Sequence, residues 1–240
     1  MNITANDMHF KTLNEEIRAC SDDEIVIDNC IGQRYIGDGL SKKKITINGT
    51  PGNALGAYLN GACIYVNGNA QDAAGDTMNE GRIVINGSSG DATGYAMRGG
   101  EIYVKGDVGY RAGIHMKAYE DKLPALVIGG CAGSFLGEYQ AGGIIIVLGL
   151  GSEGKAVVGY FCGTGMHGGA MYLRCDELPN DLPAQVCASE ANEENMAAIR
   201  KYIETYCEEF GTDIDEILSH KFYVLKPDTK NPYKQLYTHN

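Results

Sequence analysis

The sequence predicts an all-β solenoid, a single-stranded right-handed parallel β-helix of about seven coils with helical segments at both ends. Two observations lead to this fold class. Pairs of apolar residues recur at a spacing of 19 residues through the middle of the chain, and glycine recurs at two fixed places in each repeat. A unit of this length cannot bury a hydrophobic face alone, so we expect successive repeats to stack and bury one another.

Each repeat begins with a short strand. Two apolar residues separated by one position indicate period-two structure with one buried face. The pairs are Ile45 and Ile47, Ile64 and Val66, Ile83 and Ile85, Ile102 and Val104, Leu126 and Ile128, and Ile145 and Val147. Ile25 precedes this series and Met171 follows it, with longer spacings where residues are inserted.

Two glycine positions follow each strand, and we interpret them as structural. A glycine that recurs at one point of a coil indicates positive φ or a corner that a Cβ atom would block. The first set is Gly49, Gly68, Gly87, Gly106, Gly130 and Gly149, and the second is Gly56, Gly75, Gly94, Gly113 and Gly137. A further apolar row consists of Leu59, Met78, Met97 and Met116. Asn48, Asn67 and Asn86 are predicted to stack as a side-chain amide ladder.

The right-handed form is favoured over one rival. Left-handed β-helices of hexapeptide acyltransferases have coils of 18 residues and a strict six-residue subrepeat. Here the spacing is 19 and no such subrepeat is present.

Three regions follow from this pattern: an N-terminal cap at 1–24, the β-helix at 25–175 and a helical extension with a tail at 176–240. Thr12 and Glu15 predict a capping box for a short helix that includes Ile17. An amphipathic helix is predicted to carry its apolar stripe on Met196, Ile199, Ile203, Tyr206 and Phe210 and to stop at Gly211. A second short helix is expected from Asp213 to Leu218, then a strand and an extended tail.

Charge and cysteine content limit the function classes. The net charge is −11, yet residues 25–175 carry equal numbers of acidic and basic groups, so both ends are acidic. This balance argues against nucleic acid and against an anionic membrane surface. The eight cysteines form no C-x-x-C pair, which makes a metal or iron–sulfur site an unfavoured interpretation. Without a signal peptide or an apolar run of 18, we expect a cytoplasmic protein with reduced thiols.

One motif, Gly149 to Gly154, matches the dinucleotide-binding pattern G-x-G-x-x-G after an apolar run. That function requires a helix next, whose N-terminus would hold the phosphates. The segment 155–169 contains five glycines, each costing about 1 kcal/mol in a helix. We therefore interpret Gly149 as a repeat corner, and we expect the excursion at 151–169 to contact a partner.

Other polar residues give weaker signals. Asp72, Asp91 and Asp76 could serve acid–base hydrolysis of a carbohydrate if their carboxylates stacked on adjacent coils, although turn positions also favour aspartate. Arg98, Arg111 and Lys117 could bind an anion or form a partner surface. The predicted partner surface consists of Arg98, Arg111, His115 and His167. No catalytic, cofactor-binding or metal-binding residue is predicted.

Several segments together resemble a known family. They are "IGQRYIGDGLS", "GTPGNALGAYLNGA", "VGYRAGIHMK", "GGCAGSFLGEYQAGG" and "GTGMHGGAMYL". They are similar, over about residues 10–175, to the C-terminal β-helix domain of the glutamate synthase large subunit, often called the GXGXG domain. The C subunit of formylmethanofuran dehydrogenase shares this fold.

The resemblance implies a right-handed β-helix that serves as a scaffold between a glutaminase domain and an FMN-containing synthase domain. It implies a non-catalytic subunit of a multi-chain glutamate synthase-like oxidoreductase, with FMN and iron–sulfur groups on partner chains. The chain has no FMN barrel, no iron–sulfur cysteine cluster and no N-terminal nucleophilic cysteine, because residue 2 is Asn2. Alternatives are the equivalent subunit of a formylmethanofuran dehydrogenase, an independent β-helix carbohydrate-active enzyme, and self-association into a homo-oligomer.

Overall fold

The computed structural model describes residues 1–152 and 154–228, and the strands in this part of the chain form one eleven-stranded, mostly parallel sheet. The strands are β1 Asn2–Thr4, β2 Glu24–Ile31, β3 Lys44–Thr50, β4 Asn60–Asn67, β5 Glu80–Ile85, β6 Glu101–Val104, β7 Ala125–Ile128, β8 Ala141–Val147, β9 Gly168–Arg174, β10 Val186–Glu190 and β11 Phe222–Pro227. The helices are α1 Phe10–Ala19, α2 Glu193–Phe210 and α3 Ile214–Leu218. Strands β1 to β9 pair in chain order, as a solenoid-like all-β fold requires.

The inward-facing residues of the strands lie in register and form a continuous core. Ile45 pairs with Ile64, Ile64 with Ile83, and Ile83 with Ile102. These side chains are fully buried, as are the predicted row residues Leu59, Met78, Met97 and Met116. The period-two pattern therefore predicted the interior correctly. The right hand of the helix stays a prediction.

A second line of contact joins the repeats on another side of the solenoid. Isolated parallel bridges connect Ala70 with Ser89, Ser89 with Val108, and Val108 with Ala132, which in turn bridges to Val158. From Ala70 to Val158, each repeat thus pairs with the next at more than its main strand.

A third line is a corner in which alternate residues have positive φ, and we call it the stacked corner. Each repeat contributes three positive-φ residues to this corner, two positions apart. The first position holds Tyr35, Ala54, Ala73, Ala92, Arg111, Phe135 and Phe161, and the second holds Gly37, Gly56, Gly75, Gly94, Gly113, Gly137 and Gly163. The third position holds Gly39, Tyr58, Thr77, Ala96, His115, Tyr139 and Gly165. Backbone hydrogen bonds between repeats hold this uncommon conformation, for example from the Gly75 N–H to the Leu55 carbonyl at 2.8 Å. The corner consequently turns alternate side chains outward along one edge of the solenoid.

All members of the second glycine set have positive φ, whereas the first set is mixed: Gly49, Gly68 and Gly149 have positive φ, and Gly87, Gly106 and Gly130 do not. At Gly75 φ is +72°, and a Cβ would also collide with Ile102. Gly130 has no positive φ, but a Cβ there would collide with the carboxylate of Asp107, which accepts a hydrogen bond from the Cys131 N–H at 2.7 Å. Gly87 and Gly106 likewise leave space for a polar side chain of the preceding repeat.

The predicted amide ladder is present on the outer face of the sheet. Asn67 donates to the side-chain oxygen of Asn48 at 2.8 Å, and Asn86 donates to that of Asn67 at 3.4 Å. Asn48 donates in turn to Asp28 at 2.6 Å. The prediction of a stacked asparagine row is confirmed.

At the N-terminal end, α1 places Leu13 and Ile17 in the core. The predicted capping box of Thr12 and Glu15 is wrong, because the helix begins at Phe10 and both residues lie within it. His9 caps the helix instead. Its backbone is extended, and its ring nitrogen accepts a hydrogen bond from the Lys11 N–H at 3.3 Å.

At the C-terminal end, α2 covers the outer face of the sheet. Ile199, Ile203 and Tyr206 are buried on the predicted stripe, where they meet the outward residues of the sheet in a second hydrophobic core. Gly211 has φ +68° and ends the helix as predicted, and α3 begins after its N-cap at Asp213.

The expectation of a single buried strand face is wrong beneath α2. Val127 and Ile146 point outward and are nevertheless fully buried. Strand β11 pairs antiparallel with β9, and β10 pairs antiparallel with β11. The segment after residue 175 therefore contributes strands to the same sheet as well as helices. The predicted extended tail at 229–240 lies outside the described residues.

Candidate interaction surface

Four aromatic rings, three of them exposed and one half-buried, lie side by side at the C-terminal end of the stacked corner. Four residues, Tyr110, Phe135, Tyr160 and Phe161, form what we call the aromatic cluster. The ring centroids of Tyr110 and Phe135 are 5.1 Å apart, and those of Phe135 and Phe161 are 4.9 Å apart. Tyr160 is 71% exposed and Phe161 51% exposed, so the cluster presents a large apolar area to solvent.

The aromatic cluster also holds a cation. The Arg111 guanidinium lies 5.0 Å from the Tyr110 ring centroid and 5.3 Å from that of Phe135. Its Nε donates to Glu138 at 2.9 Å, and this hydrogen bond raises the pKa of Arg111. Because Arg111 is already paired with a carboxylate, the structure does not favour the predicted anion site.

His115 extends the ring contacts toward the opposite edge of the corner. Its ring is stacked on Tyr139 with centroids 5.3 Å apart and an angle of 9°, and it meets Tyr95 edge-on at 5.9 Å. Arg111 and His115, both predicted as partner-surface residues, therefore occupy the same stacked corner.

The other two predicted partner-surface residues have local roles. Arg98 lies 5.7 Å from the Tyr119 ring, in the insertion between β6 and β7. The His167 Nδ1 lies 3.1 Å from the Gly165 carbonyl oxygen. The sequence reasoning missed the aromatic cluster itself. The sequence feature that indicates this cluster is the recurrence of phenylalanine, Phe135 and Phe161, at equivalent positions of two successive repeats.

Beside the aromatic cluster lies a groove with a volume of about 1300 Å³. We call it the terminal groove. Its walls come from residues of 149–152, of 154–160, of 174–181 and of the segment 212–220. The long excursion after β8, which the sequence singled out for a partner contact, thus forms one wall.

The terminal groove is predominantly acidic. Its described walls carry five carboxylates against two permanent cations, Lys155 and Arg174. The carboxylates belong to Asp176, Glu177, Asp181, Asp213 and Glu216. Arg174 donates to the carbonyl oxygens of Leu148 at 2.9 Å and Ile217 at 3.3 Å, so its guanidinium ties β9 to the loops around it.

The G-x-G-x-x-G pattern does not have the geometry of a dinucleotide site. Gly149, Gly151 and Gly154 all have positive φ, and the described residues that follow form turns leading into β9. Gly149 donates to the carbonyl of Gly130 on the preceding repeat at 3.1 Å. It therefore acts as a repeat corner, and the described residues between it and β9 form no helix whose N-terminus could hold phosphate.

The stacked aspartates Asp72 and Asp91 accept hydrogen bonds from backbone N–H groups of the next repeat. An Asp72 side-chain oxygen accepts from the Asp91 N–H at 3.0 Å, and an Asp91 oxygen accepts from the Tyr110 N–H at 2.8 Å. Asp76 accepts from the hydroxyl of Thr77 at 2.8 Å. Because these carboxylates are engaged in turns, the geometry favours the structural interpretation over hydrolysis.

The cysteines are free thiols, and burial is the main cause of a raised pKa in five of them, Cys30, Cys131, Cys162, Cys175 and Cys207. Burial, with a smaller contribution from Asp181, raises the pKa of Cys162 to about 12. Burial and then Asp176 raise the pKa of Cys175 to about 11. Among residues 1–152 and 154–228, no group of three or more His, Cys, Asp or Glu side chains is placed to hold a metal ion. No helix within the described ranges is long and apolar enough to cross a membrane.

Comparisons with known proteins agree with this architecture. The model of the GXGXG motif family matches residues 12–228. A Methanocaldococcus jannaschii protein, uncharacterized protein MJ1350, is 47% identical over 249 residues, covering 98% of this chain and 95% of that protein.

Among solved structures, a chain of the formyltransferase/hydrolase complex FhcABCD from Methylorubrum extorquens, crystallised with methylofuran, has a similar fold. The TM-score is 0.63 at 19% identity, covering 91% of this chain and 87% of that chain. This likeness concerns the fold.

Proposed function

Because the chain belongs to the GXGXG motif family, we propose that it is a non-catalytic scaffold subunit of a multi-chain glutamate synthase-like oxidoreductase. It bridges a glutaminase chain and an FMN-containing synthase chain so that ammonia passes between their sites. FMN and iron–sulfur groups belong to those partner chains in this proposal. The similarity of the repeat segments to the glutamate synthase β-helix domain supports it.

The observation that carries the scaffold role is the exposed aromatic cluster on a rigid, many-stranded stack. Large exposed apolar patches on proteins mark interaction sites, and tyrosine and arginine are enriched where partners bind tightly. The repeats are joined along the strand, the bridge line and the stacked corner. Such a body holds partners at fixed separation.

One alternative has a specific observation in its favour. The fold likeness to a chain of a formyltransferase/hydrolase complex supports the role of a C-type subunit in a formylmethanofuran dehydrogenase complex. In that case the partners carry molybdenum or tungsten chemistry in place of FMN. Both proposals share the scaffold role and differ in the partner set.

Co-expression distinguishes the two proposals. The full chain is produced either with the glutaminase and FMN synthase chains of its host or with the host's formylmethanofuran dehydrogenase chains, and each mixture is analysed by size-exclusion chromatography with light scattering. We expect a stable complex with the first set and glutamine-dependent glutamate formation that requires this chain. A complex with the second set alone would support the alternative, and no complex with either would overturn the scaffold role.

A further inference from the structure

We infer that the aromatic cluster and the terminal groove form one docking surface, and that its occupant is a basic segment of a catalytic partner chain. The inference rests on the proposed scaffold function and goes further, because it assigns the surface and the chemistry of the partner. The surface lies at the C-terminal end of the stack and uses residues from the last repeats and from the segment that follows β9.

The two parts of this surface are physically continuous. Tyr160 belongs to the aromatic cluster and also lines the terminal groove, and its ring centroid is 6.3 Å from that of Phe161. Asp181, on the opposite wall, accepts a hydrogen bond from the Phe161 N–H at 2.9 Å. A segment that enters the groove therefore passes directly over the aromatic rings.

The rings are suited to a protein segment. Phe135 and Phe161 are inclined at 34°, and Tyr110 and Phe135 at 57°, so the cluster is ridged and offers no coplanar platform for a sugar ring. Ridged aromatic side chains fit between the aliphatic side chains of a partner, and they lose little conformational entropy on binding. Tyr160, the most exposed of them, is the expected central anchor.

Charge complementarity identifies the segment as basic. Five carboxylates lie in the groove walls, and Glu177 and Glu216 are exposed there. Lys155 and Arg174 offset two of these charges, so the described walls keep an excess of three carboxylates. Lysine or arginine residues flanked by apolar side chains therefore match the groove and the cluster together, whereas an acidic segment would be repelled.

The same face of the solenoid supplies a matched control. Tyr58 is another exposed tyrosine of the stacked corner, 54% exposed, in an N-terminal repeat. A substitution there removes a similar side chain from the same kind of corner at the other end of the stack. A non-specific effect of losing an exposed tyrosine would appear at both sites.

The test measures binding of the full chain to the co-expressed partner complex that the wild-type chain enters. Tyr160→Ala is expected to raise the dissociation constant by at least about tenfold, as for a central aromatic anchor. Tyr58→Ala is expected to change the dissociation constant less than about threefold. Circular dichroism and thermal unfolding establish that both variants are folded. Equal affinity of Tyr160→Ala and wild-type chain would overturn the inference.

A second variant pair tests the charge. Glu177→Lys with Glu216→Lys is compared with Glu15→Lys with Glu208→Lys, which makes the same change in net charge at exposed positions on α1 and α2. The first pair should weaken binding by at least about tenfold, and wild-type affinity should fall as salt rises from about 0.1 to 1 M, because the Debye length shrinks from about 10 to 3 Å. Equal effects of the two pairs would overturn the basic-segment assignment.

The outcomes separate the inference from the proposed function. If the wild-type chain enters neither partner complex, the scaffold role fails. If it enters a complex and the Tyr160 and Glu177 variants bind as tightly as wild type, the scaffold role stands and the docking surface lies elsewhere.

Discussion

The N-terminal and C-terminal halves of the sheet share one interior and differ on the outside. In β3 and β4 the outward residues include Thr46 and the asparagine ladder, partly open to solvent. In β7 and β8 the equivalent outward residues are Val127 and Ile146, fully buried beneath α2. The first position of the stacked corner holds Tyr35 and then alanine at 54, 73 and 92, and it changes to Arg111, Phe135 and Phe161 in the last repeats.

This contrast shows which constraints the repeat imposes and which it leaves open. Every repeat must bury its inward residues, so isoleucine, valine and leucine recur there regardless of position. The outward positions adapt to whatever covers them, either water or a helix. The face that α2 covers and the aromatic cluster therefore both lie in the C-terminal half of the solenoid.

The largest predicted effect concerns the buried interface of α2. Ile203→Ala removes a fully buried side chain from the second hydrophobic core, and we expect the free energy of unfolding to fall by about 3 kcal/mol. Thr46→Ala, on the uncovered half, should cost below about 1 kcal/mol. Denaturant unfolding of both variants checks this, and similar losses would contradict the contrast between the two halves.

A smaller effect is expected at the rim of α2. Arg82 bonds Glu101 at 2.9 Å and Glu209 of α2 at 3.2 Å. Arg82→Met removes the cation from two partly buried carboxylates, of which Glu101 keeps its hydrogen bond from the Tyr103 hydroxyl, and should destabilise the fold by about 1–2 kcal/mol. Lys44 lies in the same outward column of the sheet, where it makes an exposed 3.8 Å pair with Glu24 and lies 5.6 Å from the Tyr65 ring centroid. Lys44→Met should cost below about 0.5 kcal/mol, and a larger loss there than at Arg82 would refute this assignment.

The covered half should also confer sensitivity to alkaline pH. Burial raises the pKa of Tyr103, with a further contribution from Glu101, and burial raises the pKa of Tyr206. Since both folded-state pKa values lie above the unfolded value of about 10, their contribution to stability is complete below that pH and is lost as pH rises through the folded values.

Unfolding midpoints measured between about pH 8 and 11 should therefore decline above about pH 10. The Tyr103→Phe and Tyr206→Phe variants should show a shallower decline, although each loses a hydroxyl hydrogen bond at neutral pH. Tyr58→Phe, at the exposed corner, serves as the control. An unchanged slope in both core variants would disprove the role of these tyrosines.

The smallest effect belongs to the amide ladder. Asn67 bonds Asn48 and Asn86 on the open face, where water can replace a lost partner. Asn67→Ala should lower the free energy of unfolding by about 0.5–1 kcal/mol. A loss comparable to that of Ile203→Ala would mean that the open half is as tightly constrained as the covered half.

The interior of the fold was predictable because stacking forces a repeating pattern on the sequence. The spacing of 19 residues between Ile64 and Ile83 predicts that they pair, as they do in the structure. The covering of the outer face was not predicted, although the unbroken apolar runs at 125–128 and 144–148 indicate strands buried on both faces. The expectation of one buried face per strand does not account for these unbroken apolar runs.

The docking surface was harder to predict, because it depends on how separate segments meet. Arg111 and His115 were recognised as partner-surface residues, but Tyr160 and Asp181 come from segments outside the regular spacing. The pattern predicts that the excursion after β8 differs from the other repeats. It does not predict that the excursion faces α3 across a groove.

Hydrogen exchange on the assembled complex tests the central claim most directly, namely that the C-terminal half is the half that binds a partner. Exchange of backbone amides is compared between the isolated chain and the chain in its partner complex. We predict slower exchange on binding at 110–111, 134–135, 160–161 and 174–181, and no change at 35–39 and 54–58. Protection confined to the N-terminal corner, with none around Tyr160, would contradict the account.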